Sequence, residues 1–245
     1  MQAAYAQRYR TLWERHWWWR SRESLLLATI RRLARSTPIG RILDIGCGDG
    51  LFFDALAPFG SVEGIEPDAG LLGDPRWRDR IEVGTLGPDI TPREPYDLAL
   101  MLDVLEHIDD DASALESAFK AIRPGGVLLL TVPAIPWLWS RHDEANAHFR
   151  RYQPGGLRDV LETAGFAVGS IRFYFAWTVG PMLLRHWLAP AGRGTSDYDV
   201  AIPPGPINGA LTAYSRVEHA LGRLIPWPIG SSLLAIARRP GEDHD

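Results

Sequence analysis

The run RILDIGCGDG at residues 41–50 constrains the fold of this chain more than any other stretch. A short apolar segment ends in three alternating glycines, Gly46, Gly48 and Gly50, and the segment DGLFFDALAPFG after them reads as helix. An apolar run bounded by glycines is a buried-strand signal. Glycine at a strand-to-helix turn lets the backbone take positive φ and approach a ligand closely. The alternation continues along the chain. SVEGIE (61–66), RIEVG (80–84), YDLALML (96–102), GVLLLTVP (126–133), GFAVGSIRFYF (165–175) and SSLLAIARR (231–239) read as further strands. Residues 5–36 read as one helix ending at Ser36-Thr37-Pro38, with others at 109–122 and 155–164. Apolar strands separated by helices imply a mostly parallel α/β sheet with both faces covered. Between the last two strands lies an excursion over 177–229, rich in glycine and proline at 190–209, with LTAYSRVEHALGRLI as its helix. Such insertions usually carry function or are partly disordered. The whole of 1–245 is expected to be a single domain.

Composition narrows the function classes. At 245 residues and 46% apolar content the chain can bury one large core. Its single cysteine, Cys47, rules out an intrachain disulfide and points to a reducing, cytoplasmic compartment. A net charge of −4 supplies no electrostatic footprint for nucleic acid. The first twelve residues are polar and lack the apolar core of a signal peptide. FYFAWTVGPMLLRHWLAP (173–190) is the nearest approach to a membrane span, yet Gly180-Pro181 interrupts it and Arg185 and His186 sit near its end. A span needs ~20 mostly apolar residues, so this segment is expected to be buried or to line a pocket. Peripheral contact with a membrane surface stays open.

The glycine turn indicates a nucleotide cofactor, because the helix start after the first strand is where such ligands sit. Glu66 closes the second strand twenty residues after Gly46, where a carboxylate accepts hydrogen bonds from ribose hydroxyls. Asp44 and Asp49 flank the loop, and Leu51 stands where a dinucleotide fingerprint wants glycine. Carboxylates repel a pyrophosphate but attract the sulfonium and ammonium of S-adenosylmethionine (SAM). The acidic loop therefore favours SAM over NAD. The chain also lacks a Tyr-x-x-x-Lys pair, Lys120 being its only lysine.

ILDIGCGDG, VEGIEPD, YDLALMLDVLEHI and IRPGGVLLLTVP, in that order over residues 41–133, resemble the class I SAM-dependent methyltransferases. The resemblance implies a Rossmann-like sheet of seven strands in the order 3-2-1-4-5-7-6, the last antiparallel. It implies that Gly46 and Gly48 line the methionine part of SAM and that Glu66 holds the ribose. Leu102 and Asp103 would lie near the amino group or the acceptor. Thr85 occupies the position after strand three where the family often has an adenine-reading Asp.

A second cluster follows strand five. VPAIPWLWSRHDEANAHFRRY (132–152) holds Trp137, His142, His148, Arg150, Arg151 and Tyr152 at the edge where open α/β sheets bind ligands. It resembles the HD…H-RRY segment of one bacterial branch of the family. His142 or His148 suits a general base for methyl transfer, while Trp137, Arg150, Arg151 and Tyr152 suit acceptor binding. The alternative is that the arginines and Tyr152 pin the loop to the sheet. A metal set of Asp103, Glu106, His107 and His148 is also conceivable on spacing, although LEH more often braces the helix that follows; no metal is expected.

HWWWRSR (16–22) is the remaining oddity. Successive helical residues rotate by ~100°, so no single core face holds Trp17, Trp18 and Trp19 together. The segment resembles an N-terminal lid of the same branch, over residues 1–38, with Trp17 or Trp18 shielding the sulfonium and Arg22 pairing with the SAM carboxylate. Plain packing and anchoring at a membrane surface are the alternatives. The expected activity is O-methylation of a small-molecule or lipid-like acceptor, with S-adenosylhomocysteine (SAH) as product. N-methylation of an amine and a non-catalytic SAM-binding scaffold are the alternatives. Acceptor identity and oligomeric state are not encoded in any motif of the chain.

Overall fold

The computed structural model describes residues 3–188 and 201–241. Seven strands, β1 (Arg41–Ile45), β2 (Ser61–Glu66), β3 (Ile81–Val83), β4 (Tyr96–Leu102), β5 (Ile122–Pro133), β6 (Ala167–Tyr174) and β7 (Ser232–Arg238), form one sheet in the order β3-β2-β1-β4-β5-β7-β6. The first five pair parallel, and β7 inserts antiparallel between β5 and β6. This is the expected Rossmann-like order. Side chains alternate across the sheet. Leu43, Ala99, Met101, Leu128 and Leu130 face one core, and Ile42, Leu98, Leu100 and Leu129 face the other.

Among the described residues, eight α-helices surround the sheet: α1 (Ala3–Arg15), α2 (Trp17–Ser36), α3 (Phe53–Leu56), α4 (Asp111–Ala121), α5 (Arg141–Ala145), α6 (Pro154–Thr163), α7 (Val179–Leu188) and α8 (Gly205–Gly222). Helix α2 covers one sheet face with the fully buried Leu26 and Ile30 and the nearly buried Leu33.

Several boundaries differ from the sequence reading. Residues 5–36 are two helices, broken at His16. That residue is extended (φ −82°, ψ 136°), and its Nδ1 accepts the Trp18 amide at 3.1 Å. Burial pushes the imidazole down to about 4, so it stays neutral and free to accept. Capping by side-chain acceptors is usually the work of Ser, Thr, Asp or Asn, which is why the break is hidden in the sequence. Helix α3 is a single turn. Strand β5 starts early, at Ile122, through a register shift opposite Tyr96 and Leu98. Helix α8 begins at Gly205, before the expected Leu211, with proline in its first turn, where a missing amide costs nothing. The apolar stretch from 173 divides between the end of β6, a 3₁₀ turn at Ala176–Thr178, and α7. Among the described residues no helix is long and apolar enough to cross a membrane. Of the segment 190–209, residues 190–200 lie outside the described residues.

Candidate functional site

The carboxyl ends of β1, β2, β4 and β5 converge on one edge. Gly46, Gly48 and Gly50 all take positive φ (72°, 58° and 76°). A Cβ on Gly46 would fall 2.5 Å from Val104, so this glycine is required by packing; at Gly48 nothing lies within 4 Å, so the loop backbone opens onto free space there. Glu66 sits behind the loop, buried, with Oε2 accepting the Gly48 amide at 2.9 Å and Oε1 the Asp68 amide at 2.9 Å. Asp44 is buried at the end of β1. Burial pushes its carboxyl up to about 7, with nearby Arg22 opposing the rise and Glu66 adding to it. The residues present fit a cationic nucleoside: an open backbone turn, a buried carboxylate at the end of β2 and a buried acid without full charge compensation. Thr85 is exposed in the loop after β3, its amide donating to Asp89 at 2.8 Å.

Leu102 ends β4 half-buried, and Asp103 follows it at φ 58°. Asp103 accepts from Thr131 Oγ1 at 2.9 Å and pairs with Arg22 Nη2 at 2.8 Å; the same nitrogen donates to Thr131 at 3.1 Å. Arg22 is 2% exposed. Burial works against its charge, and Asp103 more than restores it, holding the guanidinium above its ordinary pKa. Arg22, expected to meet the SAM carboxylate, is thus already paired within the protein, although its buried Nε has no partner.

The four described non-glycine residues at positive φ are Asp103, Ile135, Ala147 and Phe175. Asp103, Ile135 and Phe175 follow the ends of β4, β5 and β6, and Ala147 lies in the loop after β5. Such conformations cost of order 1–3 kcal/mol each and cluster at functional sites.

Asp143 is the hub of the post-β5 loop. It is fully buried and closes a capping box with Ser140 at the start of α5. Arg151 clamps it with two bonds, Nε to Oδ1 at 2.7 Å and Nη2 to Oδ2 at 2.9 Å, and His148 Nδ1 lies 3.0 Å from Oδ1. Burial alone would raise this carboxyl. The bonds from His148 and Arg151 outweigh burial and hold it well below the carboxylate range. Tyr152 donates to Asp111 at 2.8 Å, and Arg150 pairs with Asp111 at 2.8 Å. Arg150, Arg151 and Tyr152 are therefore all bonded to the protein's own carboxylates. His142 is exposed and faces His148 at 6.3 Å between ring centroids; Trp137 is exposed too. Glu106, His107 and His148 each offer a ligand atom, all within 4.8 Å of one another. Glu106 is 1% exposed, its Oε2 has no hydrogen-bond partner, and burial beside Asp103 pushes its carboxyl well above the usual range.

The three tryptophans form a chain of ring contacts, Trp17 and Trp18 sharing Phe175 and Trp18 meeting Trp19 at 5.0 Å. Trp17 packs on Phe175 and Trp177, at 5.7 and 5.1 Å. Trp18 stacks on Phe175 and lies under the Arg22 guanidinium at 5.5 Å. Trp19 turns back to Tyr9 of α1 and to His16. Sequence reading missed Arg10, which reaches from α1 to Asp49 in the glycine loop and to Asp74. No local motif marks it, because its partners are 39 and 64 residues away. Asp143 was legible in principle, since Ser140-x-x-Asp143 has capping-box spacing.

Comparison with known proteins fits this arrangement. The methyltransferase domain family matches residues 18–171. A protein of Mycolicibacterium smegmatis, named as a SAM-dependent methyltransferase, is 31% identical over 161 residues, covering 63% of this chain and 61% of that protein. The ubiquinone biosynthesis O-methyltransferase of a Bradyrhizobium strain is 29% identical over 106 residues, covering 40% of this chain and 41% of that protein. The chain thus spans about three fifths and two fifths of these relatives. A Haloferax volcanii structure of a methyltransferase with its Trm112 activator shares the fold, with a TM-score of 0.61 at 18% identity over 99% of this chain and 97% of that one. With the match covering the glycine loop, the strand-four motif and the post-β5 loop, the chain belongs to the methyltransferase domain family.

Proposed function

We propose that this chain methylates a hydroxyl of a small-molecule or lipid-like acceptor bound above the ends of β4 and β5. Family membership makes SAM the methyl donor and SAH the product. When bound, SAM supplies an electrophilic methyl on a sulfonium. Glu66 would hold its ribose, the Gly46–Gly48 backbone its methionine portion, and Thr85 its adenine. Asp44 would answer its positive charge, and Leu102 and Asp103 would border its amino group. Arg22 would offer the SAM carboxylate the donors that Asp103 and Thr131 leave free. Helices α1 and α2 would close over this edge and exclude water, with Arg10 tying α1 to the loop.

The observation that carries the reading is the Asp143–His148 pair. An Asp accepting from Nδ1–H fixes the imidazole tautomer and leaves Nε2 to take a proton, the logic of an oriented general base. Arg151 and Ser140 hold that Asp in place. His142, close to His148 but exposed, would assist from the solvent side. Trp137, Arg150, Arg151 and Tyr152 would shape the acceptor side, the last three through the loop they brace. The Bradyrhizobium relative is named for O-methylation, which supports a hydroxyl over an amine. A SAM-binding scaffold would have no use for an oriented imidazole.

The first test is calorimetric titration with SAH, with NAD in parallel. SAH is expected to bind the wild type and NAD to fail. Glu66→Ala is expected to lose SAH binding by about tenfold or more, since two loop amides also lose their acceptor. Binding of neither ligand would sink the reading.

The Glu106–His107–His148 cluster favours a second reading, in which a divalent cation lowers the acceptor pKa in place of a free base. The two separate cleanly once labelled SAM has revealed an acceptor. His148→Gln is expected to lower kcat by on the order of 10²-fold. Chelation that leaves the wild-type rate unchanged would keep His148 as the base. A rate lost to chelator and restored by a divalent cation would make it a ligand.

A further inference from the structure

Helix α1 buries little. Of its side chains from Arg8 to Arg15 only Leu12 is buried, whereas α2 buries Leu26, Ile30, Leu33 and Arg22 against the sheet. Elements with few buried apolar contacts open at the low end of a protein's stability range. What α1 does touch is specific. Arg10 Nη2 lies 2.5 Å from Asp49 Oδ2, and its Nη1 lies 3.4 Å from Asp74 Oδ2. Trp13 meets Phe52 edge-on at 5.7 Å, and the helix packs on the 3₁₀ turn Ala69–Leu71. Asp49 follows Gly48, and Ala69 follows Asp68. Glu66 joins these same two segments from within, accepting the Gly48 and Asp68 amides. Helix α1 therefore spans the two segments that border Glu66. A cavity of about 380 Å³, lined by Arg10, Trp13 and Glu14 of α1 with Gly50, Leu51 and Asp74, keeps it from packing solidly on them.

One side chain fixes the break between α1 and α2. Asn208 of α8 donates Nδ2 to the Arg15 carbonyl at 2.7 Å and accepts the Trp17 amide on Oδ1 at 2.9 Å. It thus holds the last residue of α1 and the first of α2, on either side of His16. The helical bonds run up to the break from both sides, His16 donating to the Leu12 carbonyl and accepting from the Arg20 amide. Only His16 itself is extended. Hinges are element-terminal residues of this kind, which absorb a change in φ and ψ while the elements beside them stay rigid.

We propose that α1 is a hinged cover of the cofactor site, pivoting at His16 where Asn208 holds it and latched by Arg10 on Asp49 and Asp74, while α2 stays fixed to the sheet. Its role rests on the reading of this edge as the SAM site. Both latch partners are the protein's own, so the latch stabilises the closed cover to the same extent with the site filled or free. It gates entry and exit alike. Arg10 and Asn208 are positioning residues that set the rate of cofactor exchange and leave affinity nearly unchanged. The insertion between β6 and β7 thereby gains a task, since its helix α8 supplies the pivot.

SAH exchange is timed by surface plasmon resonance on the full chain, tethered through its carboxyl terminus. Arg10→Met is expected to raise both the association and the dissociation rate constants by about threefold or more, with Kd within about twofold of the wild type. Arg10→Lys keeps the charge and should recover most of the wild-type rates. SAH has no net charge near neutral pH, so added salt should speed exchange in the wild type and not in Arg10→Met. Asn208→Ala should speed exchange in the same way. Unchanged rates in Arg10→Met overturn the latch, and unchanged rates in Asn208→Ala overturn the pivot. Faster dissociation alone, with weakened affinity, also overturns the proposal, for Arg10 would then hold the ligand rather than the cover. Hydrogen exchange separates these failures from failure of the SAM reading. The α1 amides should exchange about threefold faster or more in Arg10→Met, with those of α2 as protected as in the wild type. If the wild type binds no SAH, that pattern leaves the latch standing and strikes the SAM reading alone. Equal α1 exchange in wild type and Arg10→Met strikes the latch.

Discussion

Asp103→Asn is expected to destabilise the protein by about 3 kcal/mol, because it strands a buried cation. Arg22 is 2% exposed, and Asp103, 2.8 Å away, is its carboxylate partner in the structure. Asn preserves the left-handed backbone at φ 58°, which Asn tolerates nearly as well as Asp. The loss thus reports on charge and not on backbone strain. The reverse substitution should cost less. In Arg22→Met the Asp103 carboxylate, 26% exposed, can turn to water, and the methionine stem keeps part of the packing against Trp18. Chemical denaturation of both variants measures the asymmetry. Equal and small losses would mean that the pair is not what holds Arg22 over Trp18.

Asp44→Asn is expected to stabilise the ligand-free protein above neutral pH, and the sign follows from linkage. Burial lifts the folded-state pKa of Asp44 to about 7, against an ordinary value of about 4 when unfolded. Between those values the unfolded state gives up the proton while the folded state keeps it, so stability falls as pH rises through the window. Below about pH 4 both states are protonated and no penalty exists; above about pH 7 the penalty is complete. At ~1.4 kcal/mol per pH unit the full effect is about 4 kcal/mol. Asn never ionises. The stability difference between variant and wild type should therefore open from pH 4 to 7 and stay constant beyond. The same substitution should weaken SAM more than SAH, since only SAM carries the sulfonium charge. A difference flat with pH would show that Asp44 does not carry the burial penalty. Such a penalty in the free protein is the expected cost of a site held ready for a cation.

Much of the cofactor half of the site was legible because it is local. Gly46, Gly48 and Glu66 belong to two adjacent strands and their turns, and short apolar runs that end at these residues place them at one edge before any tertiary contact is known. The acceptor half was legible only as a list of residue types. RHDEANAHFRRY supplies imidazole, carboxylate, guanidinium and phenol groups, but nothing in it says that Arg151 and His148 share Asp143 while Arg150 and Tyr152 share Asp111. Those choices depend on the loop folding back along the end of β5, where Tyr152 bridges to Ala134. The tryptophan triplet shows the same limit. Helical rotation denies the three rings one common face, but nothing local names their partners Phe175 and Trp177, which follow β6.

The sequence by itself determined the sheet, the glycine turn and the carboxylate at the end of β2, since strand periodicity and turn chemistry act within a few residues. Tertiary structure alone decided the pairing of Arg22 with Asp103 and the reach of Arg10 to Asp49 and Asp74. Each of these sets a charge against a group tens of residues away, and burial and distance, which no local pattern encodes, settle the outcome.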